Sequence, residues 1–282
     1  MNKLSFEDST VEILGRNLKS KKFPCLPTDI KGSTMFMHDR NIFVCGGAIN
    51  EKKCLQMTHG SWKEHSTLNE RRAWHSTLTT QTATFAFGGI YSEFTYEYLS
   101  KDSTTWLVGK TKIPSGFRLG CAITVKSNEE VWLIGGYRTE KRILSFNVKN
   151  HIFQVLPLQL NVERSSFASS FIPNTNKVMI SGGHKSIRNL DSTEILDLDD
   201  ISVKMASPMN FRRSGHGMGV ITINGEDRLV TFGGCERYVN HDSIEVYNYQ
   251  TKRWITSDIK LKEAKSDFSF LSLKLSDVIS NL

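Results

Sequence analysis

NIFVCGG, residues 41–47, is a short apolar run closed by a glycine pair. It returns four more times, as TATFAFGG (82–89), EEVWLIGG (129–136), KVMISGG (177–183) and DRLVTFGG (227–234). The leading glycines Gly46, Gly88, Gly135, Gly182 and Gly233 stand 42, 47, 47 and 51 residues apart, each followed by its partner Gly47, Gly89, Gly136, Gly183 or Gly234. Self-similarity at a period of about 40 to 50 residues marks a propeller or solenoid array. Each run is rich in β-branched and aromatic residues and too short for a globular helix, so it reads as a buried strand. The glycines then let the chain leave that strand through backbone angles a side chain would forbid, or let another backbone pass close by.

Around every glycine pair the same four-part unit can be laid: a strand opening after a cation, the glycine-ended strand, a strand of the type STEIL, and a strand often opening on tryptophan. Five complete units run over about residues 31–68, 71–114, 117–160, 163–209 and 211–261. Neither end is complete. STVEIL (9–14) and KKFPCLP (21–27) match third and fourth strands, whereas DFSFLSLKL (267–275) matches a first strand, so residues 1–28 and 264–282 predict one blade shared between the termini. The expected architecture is all-β: a six-bladed propeller, residues 1–282, sealed without a large exposed sheet edge. No second strand of the shared blade can be placed, because neither end carries a glycine pair.

Three features in register carry a family resemblance: the glycine pair, a glutamate in the third strand (Glu12, Glu97, Glu194, Glu245), and an aromatic opening the fourth (Trp62, Trp106, Phe153, Trp254). Together they resemble the kelch-repeat β-propellers over nearly the whole chain. Val203 departs from the pattern where a tryptophan belongs, and Leu55 and Leu144 where glutamates belong. Kelch propellers serve as substrate-recognition modules of ubiquitin-ligase adapters, as actin-binding modules, and in some cases as sugar-acid or copper enzymes, so fold alone leaves the activity open. The BTB and BACK segments that kelch adapters place before the propeller are not seen; either they lie outside this sequence or the propeller works alone.

Aligning the first strands superposes Lys31, Arg72, Arg118, Arg164, Arg213 and Lys265, one basic residue per unit, at spacings of 41, 46, 46, 49 and 52. In the kelch adapters that this chain resembles, arginines just before the innermost strand rise to the channel mouth and grip carboxylates of an acidic peptide. A guanidinium fork meets a carboxylate with two parallel hydrogen bonds, which makes the four arginines better candidates than the two lysines. The competing reading is structural: a repeat-consensus arginine bonding neighbouring loops. The expectation drawn from the resemblance is a non-catalytic recognition module that binds an acidic protein segment, with a ubiquitin-ligase or cytoskeletal partner in view.

Other chemistries find less support. His75 and His216 share one place in units two and five, with Cys121 there in unit three; a small or polar residue packing inside its own blade explains them better than a channel metal, which needs three or four convergent ligands. No metal and no cofactor is expected. A sugar-acid epimerase would want the same arginines plus a general base, for which Glu93, Asp102, Glu140, Asp191, Glu236 and Asp242 are available, but the spacing singles out none of them. Phosphate-loop and zinc-protease motifs do not occur. RNLKSKKF (16–23) is a basic cluster without interleaved aromatics, which argues for a solvated turn over a nucleic-acid site.

With 39% hydrophobic residues among 282, the chain can bury a large core, distributed between neighbouring repeats. Its net charge of +7 favours an acidic partner. There is no signal-like N-terminus, no long apolar stretch and no Asn-x-Ser/Thr acceptor, and the five cysteines (Cys25, Cys45, Cys54, Cys121, Cys235) are an odd number. A cytoplasmic protein with free, mostly buried thiols is the expectation.

Overall fold

The computed structural model describes residues 11–14, 20–23, 25–27, 31–118, 122–127, 129–137 and 141–271. Within them lie five four-stranded antiparallel sheets, one per glycine pair. Blade 1 holds β3 (Thr34–His38), β4 (Asn41–Cys45), β5 (Lys53–Thr58) and β6 (Ser61–Thr67); blade 2 holds β7 (Ser76–Thr79), β8 (Ala83–Phe87), β9 (Tyr96–Ser100) and the two-residue β10 (Leu107–Val108). Blade 3 is β11 (Ala122–Ser127), β12 (Glu130–Ile134), β13 (Arg142–Asn147) and β14 (Ile152–Gln159). In blade 4, β15 (Ala168–Phe171), β16 (Lys177–Ser181), β19 (Thr193–Asp197) and β20 (Ser202–Ala206) pair in that order. In blade 5 the order is β21 (Gly217–Ile223), β22 (Glu226–Phe232), β25 (Ser243–Asn248) and β26 (Arg253–Lys260). Two small hairpins interrupt the second-to-third loops of the last two blades: β17 (His184–Lys185) with β18 (Arg188–Asn189), and β23 (Cys235–Glu236) with β24 (Val239–Asn240).

The first strands β3, β7, β11, β15 and β21 neighbour one another, so each sheet turns its first strand to the axis. The glycine-ended strands are almost wholly interior: β8 is buried along its whole length, and Phe85 and Phe87 join Phe117, Leu133 and Phe146 of the next blade in one cluster. That packing between sheets is the core the repeat predicts, and no blade could bury its faces alone. The outer strands β6, β14 and β26 are mostly exposed.

The glycine pairs have the role expected of them. All ten take positive φ, between 58° and 111°. At Gly88 the reason is a close approach: a Cβ would sit 1.7 Å from the carbonyl oxygen of Phe117 in blade 3. The second glycine of each pair then donates its N–H to the following blade, to the carbonyls of Arg72 (2.9 Å), Phe117 (2.7 Å), Arg164 (3.3 Å), Arg213 (2.8 Å) and Lys265 (2.8 Å).

A second run of backbone bonds follows the channel mouth from blade 4 round to blade 2. Gly215 donates to the carbonyl of Ser166 (2.9 Å), Asp267 to Gly215 (2.8 Å), Gly32 to Asp267 (3.3 Å) and Trp74 to Gly32 (2.6 Å). All five residues are left-handed, Trp74 at φ 51°, Ser166 at 50° and Asp267 at 54° among them. The segment after Leu261 thus stands between blades 5 and 1, where Ser269 also bonds Ser33 through Oγ (2.7 Å). Near the N-terminus, β1 (Val11–Leu14) pairs with β2 (Ser20–Phe23). The rest of the expected shared blade, including 272–282, lies outside the described residues, as does the cationic cluster at 16–19.

One expectation about the thiols is corrected. Cys45 and Cys54 face each other in directly paired positions of β4 and β5, with Cα atoms 4.1 Å apart, and are joined as a disulfide in a fully buried setting. Cys25 and Cys235 are free, Cys25 on the surface and Cys235 partly buried; Cys121 lies outside the described residues. Two of the five cysteines are therefore not the free thiols expected of a reducing compartment. Among the described residues no helix is long and apolar enough to cross a membrane.

Candidate interaction face

The predicted ring of cations resolves into two kinds of residue. Arg72, Arg164 and Arg213 are wholly inaccessible, at 0% exposure, and cannot grip a partner. Each is paired with the third-strand glutamate of its own blade: Arg72 Nε with Glu97 (3.0 Å), Arg164 Nη2 with Glu194 (2.7 Å), and Arg213 Nη2 with Glu245 (3.0 Å). Further donors reach the carbonyls that end the glycine strand and open the third strand, as from Arg164 Nη1 to Gly182 (2.6 Å) and Ser192 (3.1 Å), while Arg164 Nε is buried without a partner among the described residues. Burial lowers the proton affinity of all three guanidiniums, and the neighbouring carboxylate opposes that shift. A buried charge persists only when its partners are in place. The competing structural reading holds for these three arginines.

The glutamates have a further set of donors that the sequence reading missed. Glu97 accepts the backbone N–H of Asn69 (2.5 Å) and Glu70 (3.0 Å), Glu194 those of Asn161 (2.6 Å) and Val162 (3.1 Å), and Glu245 those of Asn210 (2.6 Å) and Phe211 (3.3 Å). The asparagine side chains cross to the fourth strand, bonding the carbonyls of Trp106, Val203 and Trp254. An Asn-x-x-Arg signature three times over, at 69–72, 161–164 and 210–213, was the available signal.

Lys31 and Arg118 occupy a different register. The carbonyl that receives the second glycine's N–H belongs to Arg72, Arg164, Arg213 and Lys265 in four junctions, but in the junction onto blade 3 it belongs to Phe117. The next bond along pairs Ala48 with Lys31, Ile90 with Ala73, Tyr137 with Arg118, His184 with Ser165 and Cys235 with Ser214. Lys31 and Arg118 are therefore one residue beyond the arginine position. Phe117 holds that position in blade 3, buried in the same cluster as Leu144, which replaces the glutamate. Lys31 lies 3.9 Å from the carboxylate of Asp267 and Arg118 3.4 Å from that of Glu93, both partly exposed at the mouth.

The histidines work between blades, not within one. His75 Nε2 meets Thr34 Oγ1 of blade 1 (2.9 Å), and His216 Nε2 meets Ser181 Oγ of blade 4 (2.8 Å). Burial, aided by the charge of Arg72, holds His75 at about 3; burial and Arg213 hold His216 well below the usual imidazole value. Both rings are neutral at ordinary pH.

What the glycine-pair end of the channel offers outward is different. Five second-to-third loops each place a large apolar side chain in water: Ile49, Tyr91, Tyr137, Ile187 and Tyr238. Arg71 stacks on Tyr91 (4.5 Å) and Arg118 on Tyr137 (4.3 Å). Ion pairs tie this rim together across blades, Arg71 to Glu51 (2.5 Å), Arg118 to Glu93 and Arg212 to Asp191 (3.4 Å). Of the candidate bases, Glu93, Asp191 and Asp242 are thus engaged with cations, Asp242 with Lys260 (3.0 Å). Asp102 belongs to a third-to-fourth loop, so it sits at the opposite end of the channel, and Glu140 lies outside the described residues. Exposed Lys52, Lys112, Arg188 and Arg237 stand on the glycine-pair face outside any such pair.

Radial four-stranded blades around a common axis define the class as a β-propeller. No protein-family model and no curated protein sequence matches the chain. Among solved structures, one titled "Structure of YjhT" shares the fold, with a TM-score of 0.73 and 13% identity over 88% of this chain and 89% of that one. At that identity the likeness speaks to architecture alone.

Proposed function

We propose that this chain is a kelch-type propeller of six blades serving as a non-catalytic recognition module, docking an acidic, partly apolar protein segment on its glycine-pair face. The observation that carries the reading is the apolar side chain exposed by each of the five described loops on that face, two of them backed by a stacked arginine. Aromatic and arginine side chains are what protein interfaces enrich, and a circle of them at one end of a cylinder is a surface with a use. The sixth blade is supported by residues 265–269, which take the same backbone bonds as the other blades between blade 5 and blade 1. The partner's carboxylates meet the rim cations, not the interior arginines first suggested for the task.

A fluorescein-labelled random copolymer of glutamate and tyrosine tests this, with a lysine and tyrosine copolymer as control. The acidic polymer should bind, weaken steeply as salt is raised, and lose affinity when Tyr91 and Arg118 are replaced together by serine. Equal binding of both polymers, or of neither, would overturn the reading.

A further inference from the structure

The hairpins β17–β18 and β23–β24 are extra chain relative to blades 1–3, whose second-to-third loops hold no strands among the described residues. At their tips Ile187 and Tyr238 are almost bare, at 95% and 102% exposure, with Val239 at 66%. The tip of the second hairpin places Arg237 and Tyr238 at φ 47° and 68°, a conformation that Asn-Gly would adopt with less strain. Despite this exposure the two hairpins are held together. Asn189 donates its side-chain amide to Ser214 Oγ (2.7 Å) and the Cys235 carbonyl (3.1 Å), and its Oδ1 accepts the N–H of Arg237 (3.1 Å). Ser266 then ties Asn240 to the segment after blade 5 (2.8 Å). A chain that uses bulky residues in a strained turn, and fixes that turn with side-chain hydrogen bonds, keeps apolar groups in water against its own local preference.

From this we infer that the paired hairpins of blades 4 and 5 are the principal contact of the docking face, taking an acidic protein segment that sets apolar side chains on Ile187 and Tyr238 and carboxylates on Arg188 and Arg237. The inference rests on the recognition reading above and narrows it to one side of the ring. Charge complementarity selects the occupant: Arg188 and Arg237 flank the apolar tips without an ion pair among the described residues, while Lys185 is held by Glu163 (3.2 Å). Preorganised hairpins also lose little freedom on binding, which favours them as a hot spot over looser loops.

The experiment is selection of a displayed random peptide library on the intact chain, followed by anisotropy with the enriched peptide labelled. Enriched sequences should combine aspartate or glutamate with aromatic or aliphatic residues. Tyr238→Ser should weaken the labelled peptide roughly tenfold or more, and Arg188→Glu with Arg237→Glu should turn the selection toward basic peptides, both at unchanged melting temperature. If acidic peptides are enriched yet keep their affinity in these variants while losing it in Tyr91→Ser, the hairpin assignment fails and the recognition reading stands. If no acidic peptide is enriched, both fall. Tighter binding to phosphatidylserine vesicles than to any peptide, or dimerisation abolished by Tyr238→Ser, would also overturn it.

Discussion

Blades 3 and 4 solve the same packing problem with opposite chemistry. In blade 4, Arg164 and Glu194 meet inside the sheet with Asn161 and Val162 donating to the carboxylate. In blade 3 the corresponding places hold Phe117 and Leu144, both interior, and the asparagine is replaced by Pro114. Proline brings no N–H, so one backbone donor disappears along with the acceptor, although the neighbouring Ser115 hydroxyl is left buried without a partner among the described residues. The lesson is that the ion pair is one of two self-consistent fillings of a repeat, and each is stable only when every member is exchanged together. Blades 2 and 5 follow blade 4.

The largest effect should come from breaking one member alone. Glu194→Leu strands the buried Arg164 and two backbone donors, and should cost about 3 to 5 kcal/mol in chemical denaturation. A loss under about 1 kcal/mol would mean that water reaches the guanidinium and the comparison is misdrawn.

Acid should separate the two kinds of blade next. His75 and His216 stand in arginine-bearing blades, and their folded-state affinity for protons is depressed. Below about 6.5 the unfolded chain takes up protons that the folded imidazoles refuse, so stability falls as pH falls, down to about 3 for His75. For His75 this amounts to about 2 kcal/mol by about pH 5, and His75→Gln should flatten the profile when melting is followed against pH.

Converting blade 4 wholly to the blade 3 pattern is the sharpest test. The triple change Asn161→Pro, Arg164→Phe and Glu194→Leu should recover most of the single-variant loss, to within about 1 to 2 kcal/mol of the parent. A triple variant no better than Glu194→Leu would show that the fillings are not interchangeable. Smallest of all, Arg118→Ala removes a partly exposed pair with Glu93 and a stack on Tyr137 and should shift stability by about 1 kcal/mol or less, whereas any of the interior arginines would not be so tolerant.

The contrast also explains what could be read before folding was known. The glycine pairs announce the second strands because a strained exit from a strand admits few residues, and Gly88 against Phe117 shows how tight that exit is. The cations misled because periodicity is read to the nearest charge. In blade 3 the nearest charge is Arg118, while the equivalent interior residue is Phe117, and only the backbone bond from Gly89 reveals the slip of one. Leu144 was noticed as a missing glutamate, yet its link to the missing arginine lies in three dimensions. The exposed hairpins were illegible for another reason: Ile187 and Tyr238 share a place four residues after their glycine pairs in only two units, and a bulky loop residue carries no sign in sequence that it is exposed.

The collar of N–H to carbonyl bonds running through Ser166, Gly215, Asp267, Gly32 and Trp74 joins residues from opposite ends of the polypeptide. A linear stack of repeats can fray from its last member inward; here blade 5 is bonded through Asp267 to blade 1, so neither is left as a free end. Amide hydrogen exchange at these positions should then slow and quicken as a set, reporting the parting of blades 5 and 1 and not the opening of any one sheet.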